Sequence, residues 1–219
     1  MSQPRQVLRV LELFSGTGSI STAFRRAGHE AISLDLDPRG APTICQNILD
    51  WNFETLPRGH FDVVWASCPC EQYSVARSNA STPRDLLLAD TLVLRTQEII
   101  DWYRPRHYFV ENPSGSQLWL RFKWPRIVKT SYCSYGFKYR KNTSIATNCV
   151  DFSLKDPCGG AGVCASMVGN IHKEHAQKGG GGADNVYHTR DDLHRIPHGL
   201  CMDVVLFCEL GQGVAEEIM

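Results

Sequence analysis

Apolar and polar positions follow two different periods along this chain. VLRVLELF (7–14), AISLDLD (31–37), FDVVWAS (61–67) and HYFVENP (107–113) are short apolar or alternating runs with β-branched and aromatic residues, and each predicts a strand. ISTAFRRAG (20–28) has helical spacing and closes on Gly28, a C-cap residue. RDLLLADTLVLRTQEIIDWY (84–103) carries the apolar stripe of a long amphipathic helix, which Pro105 stops. SYCSYGFKYRKNTSIATN (131–148) reads as a strand, a glycine-containing turn and a second strand. Strands alternating with helices predict an α/β fold, a mostly parallel doubly wound sheet. Ligands of such sheets sit at the carboxyl ends of the strands. The polar stretches at 15–19, 35–37, 66–74 and 111–113 all fall there, so four separate segments converge on one edge.

Composition bounds the picture without choosing a function. The chain has 219 residues, 42% of them hydrophobic, with 23 basic and 23 acidic side chains. That is enough for one full α/β domain and a small appendage. A formal charge of zero means that a nucleic-acid partner would have to meet a local basic face. No run of about 18 apolar residues predicts a membrane span. MSQPRQVLRV lacks the apolar centre of a signal peptide. The expected location is therefore inside a cell, with the nine cysteines reduced.

ELFSGTGSISTAF places Gly16 and Gly18 between a strand and a helix. Glycine lets a backbone come close to a ligand, and a helix N-terminus offers free N–H groups. Ser21 stands where a dinucleotide fingerprint would have its third glycine. Asp35 and Asp37 end the next strand, where a carboxylate can accept both hydroxyls of a ribose. A nucleoside-bearing cofactor is one reading, and a tight turn with surface acids is the other.

ASCPCEQYS (66–74) follows the third strand and sets Cys68 and Cys70 on either side of Pro69. A metal clip is disfavoured because C-x-C supplies too few ligands. A disulfide is disfavoured by the short spacing and the compartment. A nucleophile at a strand end is the third reading.

With FSGTGS, the strand-end acid, Pro69-Cys70 and Glu111-Asn112-Pro113 in this order, the chain resembles the C5-cytosine-specific DNA methyltransferase family from residue 8 to about 148. CEQYS and the later YGFKYRKNT look most like small forms in phages and mobile elements. The resemblance implies a Rossmann-like S-adenosylmethionine-dependent methyltransferase sheet. It implies that Phe14, Ser15, Gly16, Gly18, Ser19 and Pro69 line the S-adenosylmethionine, that Asp35 takes the ribose, and that Asn47 and Ile48 lie near the adenine, where the family usually has Asp-Ile. Cys70 then becomes the nucleophile: C5 of cytosine is a poor nucleophile until a sulfur adds to C6. Glu111 would relieve charge at N3, as a carboxyl with a raised pKa in a closed pocket can. Cys68 is read as a packing position. Arg140 and Lys141 stand in the family's basic stretch and would hold the pyrimidine oxygen or a phosphate, while Thr143 replaces a usual arginine.

Beyond about residue 150 the character changes. The expected division is a catalytic domain at 1–148, a Cys/His/Gly-rich insertion at 149–190 and a C-terminal segment at 191–219 that returns to the first. Cys149, Cys158, Cys164 and His172, with His175 nearby, supply enough sulfur and nitrogen for a tetrahedral zinc site. A Gly-rich segment with little apolar content would need such an ion to become ordered. This insertion lies where the family places target recognition, and HKEHAQK (172–178) is locally basic. DDLHRIPHGL (191–200) resembles the segment with which the small forms close that region. ELGQGVAEEIM resembles the family's last motif, with Gln212 and Gly213 standing in.

The function these readings imply is methyl transfer to C5 of cytosine in DNA by a monomer, or by one module of a longer polyprotein. An RNA cytosine methyltransferase would share fold and thiol. A silent nucleic-acid-binding relative and a thiol-redox or metal-storage protein are the other classes. Intact Cys70 and Glu111 speak against the former, and only the cysteine count suggests the latter.

Overall fold

A computed structural model of the chain describes residues 6–74, 82–176 and 181–210. Seven strands form one sheet in the order β3-β2-β1-β4-β5-β7-β6. They are β1 (Arg9–Leu13), β2 (Glu30–Asp35), β3 (Ile44–Cys45), β4 (Val63–Ser67), β5 (His107–Pro113), β6 (Arg126–Ser131) and β7 (Asn142–Thr147). The first five are parallel, while β7 runs antiparallel to both β5 and β6. The doubly wound α/β sheet expected from the sequence is therefore present, with an antiparallel pair at one edge.

Period-two alternation explains why the sheet is covered on both faces. Val10, Val63, Trp65, Phe109 and Ile145 face α1 (Ser19–Arg26) and α5 (His198–Leu210), in one buried cluster with Ile20, Phe24, Leu200 and Val204. Their neighbours Leu11, Val64, Ala66, Val110 and Ala146 point the other way, into a second cluster with Val93, Ile99 and Tyr103 of α2 (Leu86–Tyr103). Asp85 caps α2, its carboxylate accepting from Leu88 N at 2.9 Å. Arg104 leaves the helix in a left-handed conformation just before Pro105.

Two boundaries differ from expectation. The β6 strand begins at Arg126 and ends at Ser131. Residues Tyr132–Tyr135, expected as strand, form a 3-10 turn that Gly136 ends at φ 90°. Beyond β7 the chain turns back over the sheet and buries Phe152 against Phe109. It is pinned where Thr130 Oγ1 donates to the Lys155 carbonyl at 2.7 Å. A short hairpin, β8 (Met167–Val168) and β9 (Ile171–His172), and the five-residue helix α4 (Arg190–His194) complete the described structure. Among the described residues no helix is long and apolar enough to cross a membrane. Gln212 and Gly213 lie outside the described residues.

Glu12 breaks the apolar run of β1 and is almost fully buried. Its carboxylate accepts from Ile20 N at 3.2 Å and Ser21 N at 2.8 Å, so it satisfies two N–H groups that open α1. Burial pushes its pKa up, and those hydrogen bonds oppose the shift. Leaving both donors unpaired should cost about 1–3 kcal/mol. Glu12→Ala should therefore lower thermal stability clearly, and Glu12→Gln, which keeps one acceptor oxygen, should lower it less. Equal melting temperatures for the three proteins would show that the cap does not matter.

Candidate active site

Strand order reverses between β1 and β4, and the crevice outside their carboxyl ends is where such sheets bind ligands. The loop after β1 starts with Phe14 at φ 55° and passes through Gly16 at φ 50° and Gly18 at φ 66°. Its shape is set by three contacts. Ser15 N donates to the Leu34 carbonyl at 3.1 Å, Gly18 N to the Ser15 carbonyl at 2.7 Å, and Gly16 N to Asp35 Oδ2 at 2.7 Å. Asp35 Oδ1 accepts from Asp37 N at 2.8 Å. Each Asp35 oxygen thus takes one backbone N–H and keeps a second lone pair for a ligand. Gly40 lies hard against this loop: a Cβ there would meet the Gly16 carbonyl oxygen at 1.8 Å. Ser19 Oγ accepts from Ile196 N at 3.2 Å, which ties the loop to the chain after α4. Ile48 is buried, and Asn47 is turned to its own loop, its Oδ1 accepting from Leu49 N at 3.1 Å. Exposed Leu36 stands beside Asp35.

The adjacent loop, after β4, carries Pro69 and Cys70, both half-buried. Tyr73 anchors it. The ring is fully buried, its hydroxyl donates to Asp90 Oδ1 on α2 at 2.8 Å, and its backbone N–H donates to the Cys70 carbonyl at 3.0 Å. Cys68 packs inward with Sγ 3.7 Å from Thr96 Oγ1. All nine cysteines are free thiols.

Glu111 ends the neighbouring strand, in register with Ser67. Asn112 beside it is fully buried and donates from Nδ2 to the Cys68 carbonyl at 2.7 Å. The Tyr132 hydroxyl donates to Glu111 Oε1 at 3.4 Å. Burial, reinforced by the Glu111 charge, raises the Tyr132 hydroxyl well above an ordinary phenol, so it keeps its proton. Lys141 Nζ lies 4.7 Å over the Tyr132 ring and donates to the Leu193 carbonyl at 3.3 Å. Thr143 is buried in β7 opposite Pro113.

Burial is the first cause of a Cys70 thiol pushed up to about 11. The Glu71 charge comes next, Lys141 pulls the other way, and Glu111 adds to the rise. Glu71 is paired with Arg190 of α4, and Asp191 on the same helix reaches Arg39 at 3.7 Å. Helix α4 therefore spans from the Cys70 loop to the turn over the glycine loop.

The residues singled out in the sequence gather at one edge of the sheet, but several of the groups that support them there were not singled out. Glu12 was legible as a charge inside an apolar strand. Tyr73, Tyr132 and the Arg190–Glu71 pair left no such signal, because their partners are distant in sequence. Arg140 does not join Lys141: it lines a separate recess of about 340 Å³ with His172, Glu174 and His175. A groove of about 790 Å³ lies elsewhere, lined by Phe53, Arg58, Trp102 and Tyr108, and holds none of these groups.

The metal-ligand expectation needs one correction. Cys158, Cys164 and His172 do converge, and their fourth neighbour is Cys133, not Cys149. Cys149 follows the end of β7 that pairs with Arg126, whereas Cys133 follows the end of β6 that pairs with Asn142. The ladder between them is roughly 17 Å long at about 3.4 Å per residue. Cys149 instead lies 3.2 Å from His107 Nδ1 in the core.

The C-5 cytosine-specific DNA methylase family matches residues 8–117, which takes in the glycine loop, Asp35, Cys70 and Glu111. The chain belongs to this family. A Frog virus 3 (isolate Goorha) protein named "Probable DNA (cytosine-5)-methyltransferase" is 31% identical, over 92% of this chain and 100% of its own length. Among solved structures, an E. coli prophage protein described as a DNA modification methyltransferase aligns at 16% identity with a TM-score of 0.48, covering 64% of this chain and 46% of that one. The S. pombe Dnmt2 methyltransferase aligns at 17% identity with a TM-score of 0.46, covering 67% and 53%. The chain spans about half the length of these two structures.

The raised Cys70 pKa makes a checkable statement about this candidate site in a C-5 cytosine-specific methylase family member without any substrate. A thiol that loses its proton near 11 is mostly neutral at pH 7, and its thiolate fraction grows about tenfold per pH unit below that value. Alkylation of Cys70, read by peptide mass mapping in a Cys45→Ser background, should keep rising through pH 9. An ordinary thiol, with a pKa of about 8.5, would level off there. A plateau at pH 9 would contradict the burial argument.

Proposed function

We propose that this chain transfers a methyl group from S-adenosylmethionine to C5 of cytosine in DNA through a covalent bond between Cys70 and C6. One observation carries the reading: Cys70 and Glu111 project from the ends of adjacent parallel strands, tied together by Asn112, next to a glycine loop whose Asp35 is held for a ligand. The residues suit the cofactor. Asp35 retains two acceptor lone pairs for ribose hydroxyls, Leu36 offers apolar surface to the base, and the turn at Gly40 leaves no side chain over the loop. S-adenosylmethionine supplies an electrophilic methyl on a sulfonium and departs as a neutral thioether.

The chain's own groups do the rest. The Cys70 thiol gives its proton to water, and its sulfur bonds to C6 of the ring. Electrons of the C5–C6 double bond move toward C4 and N3, where the Glu111 carboxyl donates a hydrogen bond or proton. C5 is now nucleophilic and takes the methyl. Loss of the C5 proton to water and expulsion of the Cys70 sulfur restore the C5–C6 double bond, and any proton taken by N3 returns to Glu111. Lys141 lowers the cost of the Cys70 thiolate and, from above Tyr132, stays near Glu111. Tyr132 orients Glu111 through the 3.4 Å contact. Arg140, away from the thiol, serves better as a phosphate contact than as a contact to the base.

Labelled cofactor incubated with DNA and with RNA, followed by base analysis, should give 5-methylcytosine in DNA. Cys70→Ala should abolish transfer while cofactor binding survives, because no neighbouring group can bond to C6. DNA carrying 5-fluorocytosine should trap a covalent complex, since fluorine cannot leave as a proton does. Full activity of Cys70→Ala would overturn the mechanism, and methyl appearing only in RNA would move the substrate.

Asp35→Ala should weaken cofactor binding by about 1–3 kcal/mol, the scale of lost hydrogen bonds to a charged group. Calorimetry showing unchanged affinity would place the ribose elsewhere, with Asp37 the first position to try.

A further inference from the structure

Cys133, Cys158, Cys164 and His172 take no part in the proposed reaction, yet their ligand atoms all lie within 4.8 Å of one another. They come from three separate places: the turn after β6, the loop that returns over the sheet, and strand β9. Cys133 and His172 are buried, and the other two are half-buried. The distances discriminate between two explanations. Cys158 Sγ and Cys164 Sγ lie 3.5 and 3.6 Å from the same nitrogen, His172 Nε2. One imidazole nitrogen accepts or donates a single hydrogen bond, so two equidistant sulfurs are one too many for hydrogen bonding. A tetrahedral ion with Zn–S of about 2.3 Å and Zn–N of about 2.0 Å requires a sulfur–nitrogen edge of about 3.5 Å. Two thiols around one nitrogen match that edge.

We propose that Cys133, Cys158, Cys164 and His172 bind one zinc ion in a closed structural site that clamps the segment 157–176 to the catalytic sheet. Three sulfurs and one nitrogen fill a tetrahedron and leave no open position, which separates this site from a catalytic one. Apolar burial does little to hold the segment: Val163, Val168 and Ile171 are exposed, Gly160, Gly162 and Gly169 take positive φ, and its ties to the sheet side are polar, as where Ser166 Oγ donates to the Phe137 carbonyl at 2.7 Å and Glu174 N to the Lys138 carbonyl at 3.1 Å. Binding energy of the ion would supply its order.

The clamp also reaches the proposed active site. Cys133 follows Tyr132, which touches Glu111 and Lys141. Cys158 N donates to Ser131 Oγ at 2.9 Å, and that hydroxyl donates to Asn142 Oδ1 at 2.7 Å beside Lys141. Removing zinc should therefore disturb methyl transfer while leaving the Asp35 side of the site intact. This second part rests on the proposed function; the ion itself does not.

Protein purified without chelator should carry one zinc per chain by elemental analysis. Cobalt in its place should give the intense visible bands of a tetrahedral ion and near-ultraviolet thiolate charge transfer. Cys133→Ser should lose stoichiometric metal, and Cys149→Ser should keep it with an unchanged cobalt spectrum. Should Cys133→Ser fail to fold, His172→Ala, on the short outer hairpin, gives the same reading. Chelator should expose 157–176 to protease while calorimetric binding of S-adenosylmethionine persists. Absence of zinc and no cobalt bands, or metal lost in Cys149→Ser but retained in Cys133→Ser, would overturn the site. Intact zinc binding in a protein with no methyl transfer would instead leave the site standing and sink the proposed function.

Discussion

Asn112 donates a buried hydrogen bond to the carbonyl of Cys68, and the geometry of the candidate active site depends on it. The bond joins the ends of β4 and β5 beyond the last rung of their ladder, where backbone pairing no longer fixes the loops. Pro69 and Cys70 leave from the carbonyl on one side, and Glu111 precedes the amide on the other. Both partners are buried, so water cannot substitute, and loss of the amide would leave an unpaired carbonyl in the core. Tyr73 fastens the far side of the same loop to α2 through Asp90. The loop that carries Cys70 is thus held at both ends by buried hydrogen-bonded groups. Such support is what keeps a reactive side chain within the narrow geometry that catalysis needs.

The surroundings of the Cys70 thiol favour its neutral form when nothing is bound. Burial and the Glu71 carboxylate favour the neutral thiol, and only Lys141 among the named neighbours opposes them. Glu71 would also repel the phosphates of a nucleic acid, but Arg190 pairs with it. Helix α4 makes a second ion pair at the other end of the crevice, between Asp191 and Arg39. Both pairs are exposed, so neither contributes much to stability. Arg39 is held mainly by Asp37, whose carboxylate accepts from its Nε at 3.0 and 2.9 Å, and meets Asp191 at 3.7 Å.

The parts legible in the sequence were those that depend on neighbours along the chain. Alternation in 7–14, 61–67 and 107–113 marks strands because each of their faces packs a separate core. The stop of α2 before Pro105 is a local steric matter. The order of glycine loop, acid, Pro-Cys and Glu-Asn-Pro was enough to name the family and the edge of the sheet where its residues meet. What could not be read depends on pairing across distance. Cys133 was read into the strand expected before the glycine of 131–148, yet the chain there must turn to bring β7 back beside β6. That turn presents Cys133 toward the hairpin that bears His172 and leaves Cys149 at the opposite end of the ladder. Spacing alone grouped Cys149 with its nearest cysteines. Only the register of β6 on β7 separates them.

The same return explains how two adjacent basic residues come to serve different places. Arg140 and Lys141 lie in the extended approach to β7, where successive side chains point to opposite sides. Lys141 turns inward over the Tyr132 ring toward Glu111 and Cys70. Arg140 turns outward into the recess beside His172 and His175. One peptide bond therefore separates a side chain on the Glu111 side of the sheet from one beside the Cys/His cluster, and Tyr132–Cys133 does the same directly across from it, Tyr132 N donating to the Lys141 carbonyl at 3.0 Å. The turn between β6 and β7 thus borders both the Glu111 side of the sheet and the Cys/His cluster, and from the far side of the insertion Arg190 pairs with Glu71 next to Cys70.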